Sequence, residues 1–355
     1  MTRADAEFIA AMPKAELHLH IEGTFTVDMK RRFAERNKLE LDEKSFTRLE
    51  VPEGSTGRAL DIQQYKMFLG LYNEGLKVLK TEQDFYELAC AYYENCVRNR
   101  ILYAEVFFDP QPHLDRGIPF QMMMEGLDAA RREAARNHGI DGGFIMCINR
   151  DLPLDSALAM LDSARPFRDL IMGLGLDSVE DGHPPVKFRQ AYDMARSEGY
   201  RLTAHCDVDM VNAAEHVRQC IEVLGVSRID HGINVLDDPR LIDLAGERDI
   251  SFTACPTWRK GDVAPRRVDR IEKMRKLGLR VSLHTDDPGY FASGYMNGML
   301  TEVARHGALE RSDMLDYMRN AFESAWLPAR TRNHYLQMLG DFAAEHGLTG
   351  ARTPH

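Results

Sequence analysis

Short apolar runs rich in β-branched residues recur along this chain, each separated from the next by a longer stretch with helical spacing. Eight such runs stand at 15–20, 101–108, 143–148, 170–176, 200–205, 226–230, 249–254 and 279–284. Runs this short and this uniformly apolar read as strands buried on both faces. The stretches between them, 187–198 and 211–224 among them, repeat apolar residues three and four apart, as helices do. Strands alternating with helices pair in parallel through right-handed crossovers. Eight of them predict an α/β fold closed as a (β/α)8 TIM barrel, with residues 1–355 as one domain. An open doubly wound sheet is the alternative, but no glycine-rich nucleotide turn follows the first run.

One connection breaks the rhythm. About 80 residues separate the first run from the second, far beyond an ordinary loop. Helical spacing covers 26–38 and 59–98, with Tyr65, Phe68, Leu69, Leu71, Tyr72, Leu76 and Leu79 at helix-like intervals in the second. A helical insertion over about 26–98 is therefore expected at the barrel mouth, serving as a lid or as packing around the first strand. Residues 347–355 are expected to fray.

The polar residues that interrupt the strand pattern are metal-ligand types, and they fall at strand ends. His18 and His20 close the first run, His205 the fifth, His231 follows the sixth, and Asp286 and Asp287 follow the eighth. Alternate strand residues share a face, so His18 and His20 point the same way and can grip one ion. In a parallel barrel the C-terminal strand ends converge on one face, where active sites are built. Nitrogen and carboxylate donors without thiolates suit zinc best, with iron, cobalt or manganese as alternatives. Three histidines and one aspartate, His18, His20, His205 and Asp286, suffice for one Zn2+ per chain. His231 is then left to orient the attacking water or act as base, and Asp287 to meet substrate.

Composition narrows the partners. The formal net charge is -10, which gives no help to nucleic-acid or anionic-membrane binding but leaves a small ligand open. The six cysteines form no CxxC pair, as expected of reduced thiols in a cytoplasmic protein. The first residues carry acids where a secretory signal is basic, and no uncharged apolar stretch approaches the ~20 residues of a membrane span. A soluble protein with a small-molecule substrate is expected, with homo-oligomerisation left open.

Taken together, Pro13-Lys14-Ala15-Glu16-Leu17-His18-Leu19-His20, Ser227-Arg228-Ile229-Asp230-His231-Gly232 and Thr285-Asp286-Asp287-Pro288 resemble the adenosine/adenine deaminase family of the amidohydrolases. The resemblance runs from about residue 12 to about 336. His20-Ile21-Glu22-Gly23-Thr24, Glu105-Val106-Phe107-Phe108-Asp109-Pro110-Gln111 and Gly175-Leu176-Asp177-Ser178-Val179-Glu180 look closer to the adenine deaminase subgroup. It implies a zinc-dependent hydrolytic deaminase in which activated water attacks the purine carbon bearing the exocyclic amino group. It also implies that Asp287 bonds a ring nitrogen, that Asp177 and Ser178 lie beside the base, and that Glu22 replaces a sugar-recognising residue of nucleoside-specific members.

The chain departs from the family after the fifth strand. Members read His-Ala-Gly-Glu there, and the glutamic acid protonates the ring; this chain reads His205-Cys206-Asp207-Val208-Asp209. Losing a general acid typically costs about 10²–10⁴ in rate. Asp207 or Asp209 reaching the same atom, a different heterocycle or amide as substrate, and a catalytically silent purine-binding protein are the three readings this leaves. Trp258 is a candidate for stacking on a planar substrate, with Arg259 and Lys260 beside it. His284 replaces a family asparagine near the site, while His113, His183 and His216 are expected to be solvated or packing residues.

Overall fold

In a computed structural model of the chain, the structure describes residues 2–42, 58–206, 210–256, 265–291 and 294–348, without the side chains of 58–65 and 265–266. Eight parallel strands follow one another around the sheet in sequence order. They are β1 (Lys14–Glu16), β2 (Ile101–Phe108), β3 (Asp141–Asn149), β4 (Ile171–Asp177), β5 (Arg201–Cys206), β6 (Arg228–His231), β7 (Ser251–Ala254) and β8 (Arg280–Leu283). The expected (β/α)8 barrel is the fold.

Strand β1 is shorter than its apolar run. Beyond Glu16 the chain is shared between two neighbours: Phe107 N–H donates to Leu19 O at 2.8 Å on one side, while Asp286 N–H donates to His18 O at 3.2 Å on the other. A further bond, His20 N–H to Asp286 O at 3.0 Å, ties the end of β8 back to the first strand. The segment that carries the two histidines is thus the seam that closes the barrel.

The long connection holds helices α1 (Val27–Arg36), α2 (Arg58–Leu76) and α3 (Glu82–Asn99). The single stretch expected over 59–98 is broken because Thr81 caps α3: its hydroxyl accepts from Asp84 N–H, and the Asp84 carboxylate accepts from Thr81 N–H. Asp84 also accepts from Asn37 just past α1, at 2.9 Å, so one carboxylate pins two helices of the insertion. The later expectations hold with adjusted ends: Arg189–Ser197 is helical within 187–198, and Ala213–Gln219 passes into a π-helical turn, Cys220–Leu224. Of the tail expected to fray, 349–355 lies outside the described residues.

Candidate active site

The polar side chains at the C-terminal ends of the strands converge on one face of the barrel. His20, Asp109, Asn149, Asp177, Ser178, His205, His231, Asp286 and Asp287 line a cavity of about 630 Å3, counted with its opening, at the C-terminal face of the barrel. Four residues of α2, Phe68, Leu69, Tyr72 and Asn73, form its roof with Phe291.

Adjacent residues on a regular strand face opposite ways, yet Asp286 and Asp287 both reach this cavity, and His231 does so directly after an inward-facing Asp230. Backbone conformation resolves the conflict. His231 has φ 62°, Asp286 φ 63° and Ser178 φ 68°, in the left-handed region that side chains other than glycine's avoid. Strain of this kind gathers at functional sites, where the surrounding structure holds it in place. Gly23 is needed for a related reason: a Cβ there would lie 2.0 Å from Asp287 Oδ1.

The donor atoms of His18, His20, His205 and Asp286 all lie within 4.8 Å of one another. His20 Nε2 stands 3.1 Å from His205 Nε2, His18 Nε2 3.3 Å from Asp286 Oδ1, and His20 Nε2 3.6 Å from the same oxygen. A tetrahedral ion with bonds of ~2.0–2.1 Å spaces its ligand atoms about 3.3–3.4 Å apart. The three separations bracket that value. Tautomer points the same way: His18 Nδ1 donates to Thr253 O at 3.0 Å, so Nε2 carries the lone pair. That Nε2 is buried without a hydrogen bond. A second set, His18, His231, Cys255 and Asp286, shares two of these residues, and Cys255 is a donor that sequence reasoning passed over.

Electrostatics fit the same picture. Burial, reinforced by His18 and His20, pushes His205 well below the usual imidazole range, so it stays neutral. Burial lowers His20 as well. At His18, burial is outweighed by Asp286, and the balance is raised. Burial would raise Asp286, but His231 and His18 hold it well below the ordinary carboxylate range. Its neighbour Asp287 goes the other way, pushed well above that range by burial and by Asp286.

Other expectations land differently. Glu22 is not among the cavity-lining residues; it is 1% exposed, and its Oε1 accepts from Asp109 N–H at 3.1 Å and lies 3.2 Å from His113 Nε2. His113 is therefore not a solvated loop residue but a buried partner of Glu22. His284 is locked away from the cavity, with Nδ1 accepting from Leu17 N–H at 3.1 Å and Nε2 2.8 Å from Ser282 Oγ. His216 is a packing residue as expected, 3.4 Å from Arg150. Asp207, Asp209 and Trp258, with Val208, Arg259 and Lys260, lie outside the described residues. Asp109, Asn149, Tyr72, Phe68 and Phe291 were not singled out as contacts in the sequence; Asp109 and Asn149 end β2 and β3 at the mouth, the position that marked the histidines.

Comparison with known proteins agrees with this geometry. The family profile described as adenosine deaminase matches residues 13–341. An adenine deaminase of Zymomonas mobilis is 40% identical over 338 residues, covering 95% of this chain and 97% of the relative. The crystal structure of an adenine deaminase from Arthrobacter aurescens superposes with a TM-score of 0.83 at 30% identity, over 94% of this chain and 100% of the other. An amidohydrolase from Burkholderia ambifaria, solved with bound zinc, gives the same TM-score of 0.83 at 27% identity, over 96% of this chain and 94% of the other. The chain belongs to the adenosine deaminase family.

Proposed function

We propose that this chain is a zinc-dependent hydrolytic deaminase acting on a free 6-aminopurine base, adenine or a close relative of it. The observation that carries the reading is the convergence of the His18, His20, His205 and Asp286 donor atoms within 4.8 Å at the edge of a cavity roofed by aromatic rings. Nitrogen and oxygen donors at this spacing suit zinc, one ion per chain. Bound there, the metal supplies Lewis acidity and lowers the pKa of a coordinated water.

The chain's own residues do the rest. His231 Nε2 lies 3.8 Å from Asp286 Oδ2 at the cavity wall, placed to take the proton of the attacking water and pass it toward the departing ammonia. Asp287, at the cavity wall beside Asp286, is placed to hydrogen-bond a ring nitrogen of the base. Asp177 and Ser178 meet the edge of the base, and Glu22 acts behind them by holding the Asp109 backbone. We assign protonation of the ring, the task of the family's glutamate, to Asp207 or Asp209, with Trp258 stacking on the base. Phe68 and Phe291 close the roof, and α2 serves as the lid.

Charge favours a base over a nucleotide. No lysine or arginine stands among the described lining residues to receive a phosphate. The test is ammonia or amine release by metal-replete protein from adenine, adenosine, adenosine phosphates and N6-substituted adenines, beside His18→Ala, Asp207→Asn and Asp209→Asn. Release from a free base, abolished in His18→Ala and lowered ~10²–10⁴-fold in one of the two asparagine variants, is expected. Silence across the panel from protein carrying one zinc per chain would overturn the purine reading.

A further inference from the structure

Beneath the donor cluster, a single carboxylate reaches two of the candidate ligands from behind. Asp230 is 0% exposed and is not among the residues lining the cavity. Strand register puts it there: His205 pairs with Asp230 across β5 and β6, and Asp230 with Thr253 across β6 and β7. Thr253 Oγ1 donates to Asp230 Oδ1 and Thr203 Oγ1 to Oδ2, each at 2.7 Å. The same Oδ2 faces His205 Nδ1 at 3.4 Å, an ion-pair distance rather than a hydrogen bond, and that ring nitrogen has no other polar partner. Thr253 carries the contact on to His18, whose Nδ1 lies 3.0 Å from its carbonyl and 3.3 Å from its hydroxyl.

An imidazole that binds metal through Nε2 needs its Nδ1 proton accepted elsewhere. The acceptor fixes the tautomer, aims the ring and raises its basicity. A carboxylate does this better than a neutral oxygen because the bond is charge-assisted. Asp230 is itself held from below. Arg228 Nε lies 3.8 Å from its Oδ1, while the same guanidinium donates to Glu105 at 2.5 Å and stacks on the Trp326 ring at 4.0 Å.

We propose that Asp230 is a positioning residue for the metal centre, anchoring His205 directly and His18 through Thr253, so that one buried carboxylate sets the aim of two ligands. This rests on the metal reading above. The two threonines have separable parts: Thr253 links Asp230 to His18, whereas Thr203 holds Asp230 but touches neither imidazole.

The experiment measures metal affinity by competition with a chromophoric chelator, and the visible spectrum of the cobalt(II)-loaded protein, for the parent, Asp230→Asn, Thr253→Val and Thr203→Val. Asp230→Asn should weaken zinc about 10–100-fold and alter the cobalt bands. Thr253→Val should weaken it less, with an effect smaller in the Asp230→Asn background than alone. Thr203→Val should leave affinity within about threefold of the parent, since no ligand loses a contact. Parental affinity and an unchanged cobalt spectrum in Asp230→Asn would overturn the proposal, as would an equal loss in Thr203→Val. If Asp230→Asn does not fold, Thr253→Val decides, and an unchanged affinity there overturns it. A parent that takes up no metal would instead overturn the metal centre, and this inference with it.

Discussion

Histidine burial is the residue-scale property with the clearest consequence for stability. His113 is enclosed between Glu22, Arg116 and the Phe85 ring, and burial pushes its pKa down to about 3. Its unfolded value is near 6.5, so folding favours the neutral ring. A folded pKa below the unfolded one gives stability that is complete above about 6.5 and lost as pH falls toward about 3. His216, lowered by burial to about 4, adds loss in the same direction. In urea unfolding of metal-free protein, His113→Gln should lose less free energy than the parent as pH falls from about 6.5 to about 4, because the variant lacks the buried imidazole. A slope equal to the parent's would show that His113 is protonated in the folded state.

At the scale of elements, the helices of the insertion divide between two hydrophobic clusters. Helices α1 and α3 share the Asp84 clamp and pack into the main core. Helix α2 instead contributes Phe68, Tyr72 and Leu76 to a separate cluster with Tyr290 and Phe291, just after the Asp286–Asp287 pair. Phe68 stacks on Phe291 with ring centroids 5.8 Å apart, and Tyr72 Oη donates to Asp109 at 2.9 Å. A small detached cluster opens at a lower free energy than the barrel, which is what a lid needs. Phe68→Ala should cost ~3–5 kcal/mol of local stability. The checks are faster amide exchange confined to α2 and a raised KM, with amides of β2 to β5 unchanged. Uniformly faster exchange through the barrel would count against a separately opening lid.

At the scale of the molecule, the barrel core holds a buried ion pair. Arg228 and Glu105, both 0% exposed, meet across the interior at 2.5 Å. Glu105 also accepts from Tyr103 Oη at 3.0 Å and from Trp326 N–H at 2.6 Å, joining β2, β6 and the chain after β8. Such a pair contributes little net stability over an apolar replacement, but breaking it strands a buried charge. Glu105→Ala should therefore lose ~3–5 kcal/mol, whereas the double variant Glu105→Leu, Arg228→Met should recover most of it. Denaturant midpoints of the three proteins measure this directly. Among the described residues no helix is long and apolar enough to cross a membrane.

The chain's own periodicities determined the architecture. Eight apolar runs at strand length, with helical spacing between them, admit one closed parallel arrangement, and donors at the strand ends must then converge because the strands do. That is why His18, His20, His205, His231 and Asp286 were legible together while none was alone. What the pattern could not carry is whatever depends on departure from regularity or on contacts between distant segments. The left-handed turns at His231 and Asp286 set side-chain direction against strand alternation, and alternation is all a sequence displays. Glu22 and His113 lie 91 positions apart, and only the pairing of the neighbouring strands β1 and β2 brings them together. The donors of the site follow from period; their aim, through Asp230 and Thr253, follows from register, which only the folded barrel fixes.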